Sequence, residues 1–202
     1  MTTETEDVFN PEYTDAELKD GGGVRADAFL RISDGDQAEI VFIGKFDGID
    51  CVYAGHSIVY DPDAHGPRND PVKVTTKYLL NVAQKMMDGA WRPTTIEMSW
   101  TTRGKYLAAL ESGANGKYTF TYKRQGGKRD NTEYYFTPNL RRVLGDEDLD
   151  TIRALHYPNL RALAESEYSP GKDDPPPQVV EPKEDAKPRP DSLPASSEEI
   201  PF

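Results

Sequence analysis

The residues of this chain whose types and spacing suit chemistry are cations set beside aromatic rings. Trp91 adjoins Arg92, Trp100 precedes Arg103 and Lys105, Tyr118 and Tyr122 neighbour Lys117 and Lys123, and Tyr134 follows a loop carrying Lys128 and Arg129. Aromatic faces accept any nucleobase by stacking, and cations follow a phosphate backbone, so this interleaving suits contact with a single strand of nucleic acid without choice of sequence. Each stack contributes about 1–3 kcal/mol, so two or three of them with several phosphate contacts give useful affinity. The candidate contacts are Lys77, Trp91, Trp100, Arg103, Lys105, Tyr118, Tyr122, Lys123, Arg124, Lys128, Arg129, Tyr134 and Arg141.

Core packing competes for the same rings. Tyr118, Phe120 and Tyr122 alternate along one strand face. Phe120 is assigned to the core, whereas the two tyrosines, each with a polar tip on an apolar body, fit a core or a half-wet groove. Tyr135 points opposite to Tyr134 and Phe136, and one of those faces must be core.

A net charge of −11 argues at first against a phosphate partner. Its distribution reverses that argument. Residues 1–20 carry seven acids against Lys19, and residues 171–202 carry eight acids against four bases, whereas thirteen bases face five acids between Pro71 and Arg142. A basic face on an acidic protein follows from that segregation.

Other chemistries find little support. Asp61, Asp63 and His65 read as a turn-rich loop, and Asp146, Glu147, Asp148 and Asp150 as the acidic first turn of a helix, so neither set implies a metal. No nucleophile can be paired with a base, and no cofactor motif is present; an enzyme is not expected. The single Cys51 excludes an intramolecular disulfide and suits a reducing cytoplasm. The chain starts acidic, without the basic and apolar stretches of a signal peptide, and no run of eighteen apolar residues suggests a membrane span.

The elements that must position the candidates read as mainly β. Residues 1–23 form an acidic arm ending in the hinge Gly21-Gly22-Gly23. Ala38 to Phe46 is a first strand, Asp47-Gly48 a hairpin turn, and Cys51 to Tyr60 a second strand. Residues 61–70 are loop. Val74 to Val82 is a third strand, with Val74, Thr76, Tyr78, Leu80 and Val82 on one face and Lys77 and Asn81 on the other. Thr94 to Trp100 is extended, after which Thr102 caps a short helix ending at Gly113.

Lys117 to Lys123 and Thr132 to Thr137 form an aromatic hairpin with a basic, glycine-containing tip. Five or six strands with one helix between the later ones suit a Greek-key barrel of OB type over residues 24–145. Residues 146–170 read as a helical extension packed on the barrel and broken by Pro158. Residues 171–202 hold eight of the sixteen prolines and no aromatic before Phe202. Such a segment buries too little to offset its ordering entropy and is expected to be disordered.

That tail ends in Glu198-Glu199-Ile200-Pro201-Phe202. A terminal Phe side chain suits an apolar pocket while its carboxylate meets a base, and the two glutamates add steering. Here the chain resembles the single-stranded DNA-binding protein family, whose bacterial members end in an acidic run followed by Ile-Pro-Phe and whose bodies are OB-folds. The acidic run is shorter here. The N-terminal arm, basic hairpin and helical extension look more like a bacteriophage-encoded member, which places the chain in a bacterial host cytoplasm. The resemblance implies coating of single strands in DNA replication, recombination and repair, with the tip docking replication and recombination proteins or folding back on the groove. It leaves open homodimers or cooperative assembly on DNA. Two other readings stand beside it: a recombination mediator or adaptor that uses the tip without coating DNA, and an RNA-binding OB protein.

Overall fold

A computed structural model describes Phe9 and residues 29–53, 55–68, 73–127 and 132–168. The rest of the acidic arm, the hinge glycines, Lys128 and Arg129 at the hairpin tip, and the tail with Glu198 to Phe202 lie outside these residues.

In chain order the elements are β1 (Gln37–Tyr53), β2 (Ser57–Val59), α1 (Pro62–His65), β3 (Thr75–Lys85), β4 (Trp91–Met98), α2 (Trp100–Glu111), β5 (Tyr118–Gln125), β6 (Glu133–Val143), α3 (Asp146–Ala154) and α4 (Leu160–Glu167). All six strands join one antiparallel sheet in the order β4-β3-β1-β5-β6, with β2 paired to the far end of β1. The sheet is mainly β architecture left open, and its order, with α2 between β4 and β5, is compatible with an OB-type fold.

The long strand β1 corrects the expected hairpin at Asp47-Gly48. The strand runs straight through these residues, and Cys51 and Val52 belong to it; the chain reverses only around Gly55 and His56, leaving β2 short. What bends β1 is a bulge: Ile43 pairs with Asn81 and Asp47 with Leu79, so Gly44, Lys45 and Phe46 face the single Leu80. Gly44 has φ 60°, a left-handed conformation that glycine adopts without steric cost. Because two extra residues are inserted, the inward and outward alternation continues unchanged beyond the bulge.

Both faces of the central strands are buried. Inward, Ile40, Phe42, Leu80, Val82, Ile96, Met98 and Phe120 form the main core, sealed by Tyr106 and Ala109 of α2. Phe120 is therefore in the core, as its strand position predicts. Outward, Val41, Ile43 and Ala83 pack with Ile152 and Tyr157, and Ile49, Cys51 and Leu79 pack with Leu160, Ala164 and Tyr168. The face of β3 bearing Asn81 is thus covered by α4, and the Asn81 amide donates to the Pro158 carbonyl at 3.0 Å while accepting from Thr95 Oγ1 at 3.1 Å. Those bonds remove the cost of burying a polar side chain there.

The helix α2 starts earlier than expected. Ser99, not Thr102, is its cap: the Ser99 hydroxyl accepts from the Thr102 backbone N–H at 3.2 Å, which moves Trp100 from the end of a strand into the first helical turn. Gly113, with φ 64°, follows its end. Pro158 lies between α3 and α4, and Asn159 caps the latter by accepting from Ala162 N at 3.0 Å. No helix among the described residues is long and apolar enough to cross a membrane.

Candidate nucleic-acid interface

The loop end of the β5–β6 hairpin, the start of β3 and the end of β4 meet around a groove of about 460 Å³. Arg31, Lys77, Arg124, Tyr122, Tyr134 and Tyr168 contribute to its lining, with Phe29 to Ile32 along one side and the His56-Ser57 turn along another. Glu97 and Glu167 are the acids in the wall. Three cations against two carboxylates leave a small positive excess, to which the loop bearing Lys128 and Arg129 adds in sequence.

The cations differ in availability. Lys77 is committed, with Nζ 2.7 Å from Glu97 Oε1 and 4.8 Å from the centre of the Tyr168 ring. Arg124 has no acidic partner among the described residues; Nη1 donates to the Ile32 carbonyl at 3.0 Å, which fixes the guanidinium in place, and Nε is buried without a partner. Arg31 is exposed and likewise free of acids among the described residues. A positioned guanidinium without a carboxylate suits a phosphate, because no ion pair must break first.

Tyr122 and Tyr134 are diagonal cross-strand neighbours, Tyr134 standing two residues from Phe136, the direct partner of Tyr122, and their rings stack at 5.5 Å with 13° between their planes. Tyr122 is only 2% exposed and burial pushes its hydroxyl pKa far up, so it supports Tyr134 rather than meeting a base itself. That corrects its assignment as a direct contact. Tyr134 is half-buried, with one face on Tyr122. Tyr118 packs against the main core.

A second grouping lies on α2. Trp100 is 69% exposed, and the Arg103 guanidinium stands 5.0 Å from its ring centre, 5.1 Å from that of Tyr78 and 4.8 Å from that of Phe46. Lys105, two residues on, reaches β6: Nζ lies 2.9 Å from Glu133 Oε2 and 4.0 Å from the centre of the Tyr135 ring. Hydrogen bonds from Tyr135 and Lys105 hold the Glu133 carboxyl below the usual carboxylate range.

Trp91 is the clearest departure. It is 7% exposed in the outer core, its indole N–H donates to Asp148 Oδ1 at 2.7 Å, and Lys85 Nζ lies 4.9 Å from its ring centre. It joins the sheet to α3 and is not available to a base. Lys123 neighbours Tyr135 across the strands, and Arg141 is exposed on β6; the structure brings neither into the groove. Lys128, Arg129 and Glu198 to Phe202 fall outside the described residues.

The groove also uses residues that sequence patterning did not single out, Arg31, Tyr168 and Glu97, and the grouping on α2 likewise uses Phe46 and Tyr78 beside Arg103. The alternation of β3 placed Tyr78 inward, but no local signal links Arg31 to a hairpin about ninety residues later. The acidic sets take structural roles: Asp61 caps α1 by accepting from Asp63 N at 2.9 Å, and Asp148 anchors Trp91 and Lys85. Among the described residues no three His, Cys, Asp or Glu side chains gather as a metal site. Compared with known proteins, the chain matches no family model, no curated protein and no solved structure.

Proposed function

We propose that this chain binds single-stranded DNA without sequence preference, in the groove at the loop end of the β5–β6 hairpin. The observation that carries the reading is the pairing there of a fixed cation without an acidic partner among the described residues, Arg124, with a stacked tyrosine, Tyr134, whose partner Tyr122 is locked in the core. Phosphate contact and base stacking are the two elements such binding needs, and a support that is already ordered reduces the entropy lost on association. The OB-compatible sheet order supports the reading as an analogy of fold.

DNA rather than RNA follows from the resemblance of the C-terminal Ile200-Pro201-Phe202 to single-stranded DNA-binding proteins. On the same ground Glu198 to Phe202 recruit replication, recombination and repair proteins, in a cytoplasmic and phage-related setting.

The location is tested by equilibrium binding of oligo(dT) to Arg124→Ala, Tyr134→Leu and, as a control away from the groove, Arg161→Ala. Tyr134→Leu weakens binding by about 1–3 kcal/mol. Arg124→Ala lowers the slope of log affinity against log salt by about 0.7. Equal affinities for all three variants would remove the groove from the account.

A further inference from the structure

We infer that Trp100 and Arg103 form a second nucleotide subsite, one that a strand occupies after crossing Lys105 from the groove. The inference rests on the proposed binding of single-stranded DNA and adds a path to it.

Trp100 is the most exposed aromatic side chain among the described residues, at 69%, on a protein whose other tryptophan is buried. A large ring left open to water at the first turn of a helix gains little from packing, its neighbours being Tyr78, at 6.1 Å between ring centres, and the Arg103 guanidinium. Arg103 beside it is held by three rings and by no carboxylate among the described residues, and its Nε is buried without a hydrogen-bond partner. Rings orient a guanidinium and leave its donors to an incoming acceptor. An open indole beside an oriented, acid-free guanidinium provides a stacking face and a phosphate contact within one nucleotide's reach.

The two sites are physically linked. Lys105 lies on the same helix as Arg103, and its bond to Glu133 fastens that helix to the residue preceding Tyr134 of the groove. Lys105 and Arg103, two residues apart, lie on different sides of α2, so a strand leaving Tyr134 past Lys105 crosses the outer surface of the helix, and about 8 Å along its axis, to reach Arg103 and Trp100. A short oligomer fills the groove alone; a longer one reaches Trp100.

The two tryptophans make the test direct. The full chain, Trp91→Phe, Trp100→Phe and Arg103→Gln are titrated with oligo(dT) of increasing length, following both intrinsic fluorescence and the anisotropy of an end-labelled oligomer. Circular dichroism checks that each variant is folded. The subsite predicts quenching in Trp91→Phe and none in Trp100→Phe. It also predicts that Arg103→Gln binds short oligomers as the parent does and long ones about tenfold more weakly. Long oligomers bound equally by parent, Trp100→Phe and Arg103→Gln, with Arg124→Ala still defective, overturn the subsite and leave the groove standing. Quenching of Trp100 by an acidic peptide and not by oligo(dT) assigns the surface to a protein and overturns it too. Absence of any oligomer binding by the parent chain removes the groove reading and this path with it.

Discussion

The Trp91 indole N–H donates to Asp148 Oδ1 at 2.7 Å, and Lys85 Nζ approaches the same oxygen at 3.1 Å, so one carboxylate ties α3 to two strands of the sheet. The bond from Trp91, with that from Lys85, holds the Asp148 carboxyl below the usual aspartate range. A carboxyl depressed on folding contributes stability that is complete above its unfolded pKa and is lost as pH falls through its folded value. Asp148→Ala is therefore expected to lower unfolding free energy by about 2 kcal/mol at neutral pH. Urea denaturation of the variant and its parent should show that difference shrinking as both are taken into the acid range.

The β1 bulge depends on Gly44 at φ 60°. A side chain in the left-handed region costs about 1–2 kcal/mol, so Gly44→Ala should lower the midpoint of urea unfolding by a corresponding amount. Gly48→Ala, in ordinary contact with the Tyr78 ring at 3.5 Å, should cost less. Equal loss at both positions contradicts the placement of the bend.

Cys51 is buried under α4, and burial pushes its thiol pKa up to about 11. Thiolate is the reactive form. In the folded chain at pH 8 a thiol reagent should leave Cys51 unmodified for hours, and unfolding in denaturant should restore one equivalent of rapid reaction.

On the proposed path Glu133 competes with phosphate for Lys105, which it holds at 2.9 Å. Glu133→Gln removes the competitor and a negative charge. Its affinity for oligo(dT) should rise by roughly threefold at low salt, with a steeper dependence on salt concentration. An unchanged salt slope would take Lys105 off the path.

Much of the fold was legible because its signals are local. The period of two in β3, the aromatic hairpin, and Pro158 between two helical stretches each act within a few residues. Asp47-Gly48 misled because a dipeptide that suits a turn also suits a strand whose neighbour Tyr78 lies close against Gly48; pairing with β3 decides between them. Trp91 misled because α3, fifty-seven residues away in sequence, covers it. Of the site, the cations and rings of the hairpin and α2 stood out as types. Their sorting into supporting rings such as Tyr122 and open ones such as Trp100 depends on which sheet face each helix covers, and that is set by long-range packing.

The central claim is tested most directly by titrating the full chain into end-labelled oligo(dT), a mixed-sequence single strand and a duplex of equal length, at two salt concentrations. The account predicts similar affinity for both single strands, much weaker binding to the duplex, and loss of affinity with added salt. No binding to either single strand at low salt, or tighter binding to the duplex, would contradict it.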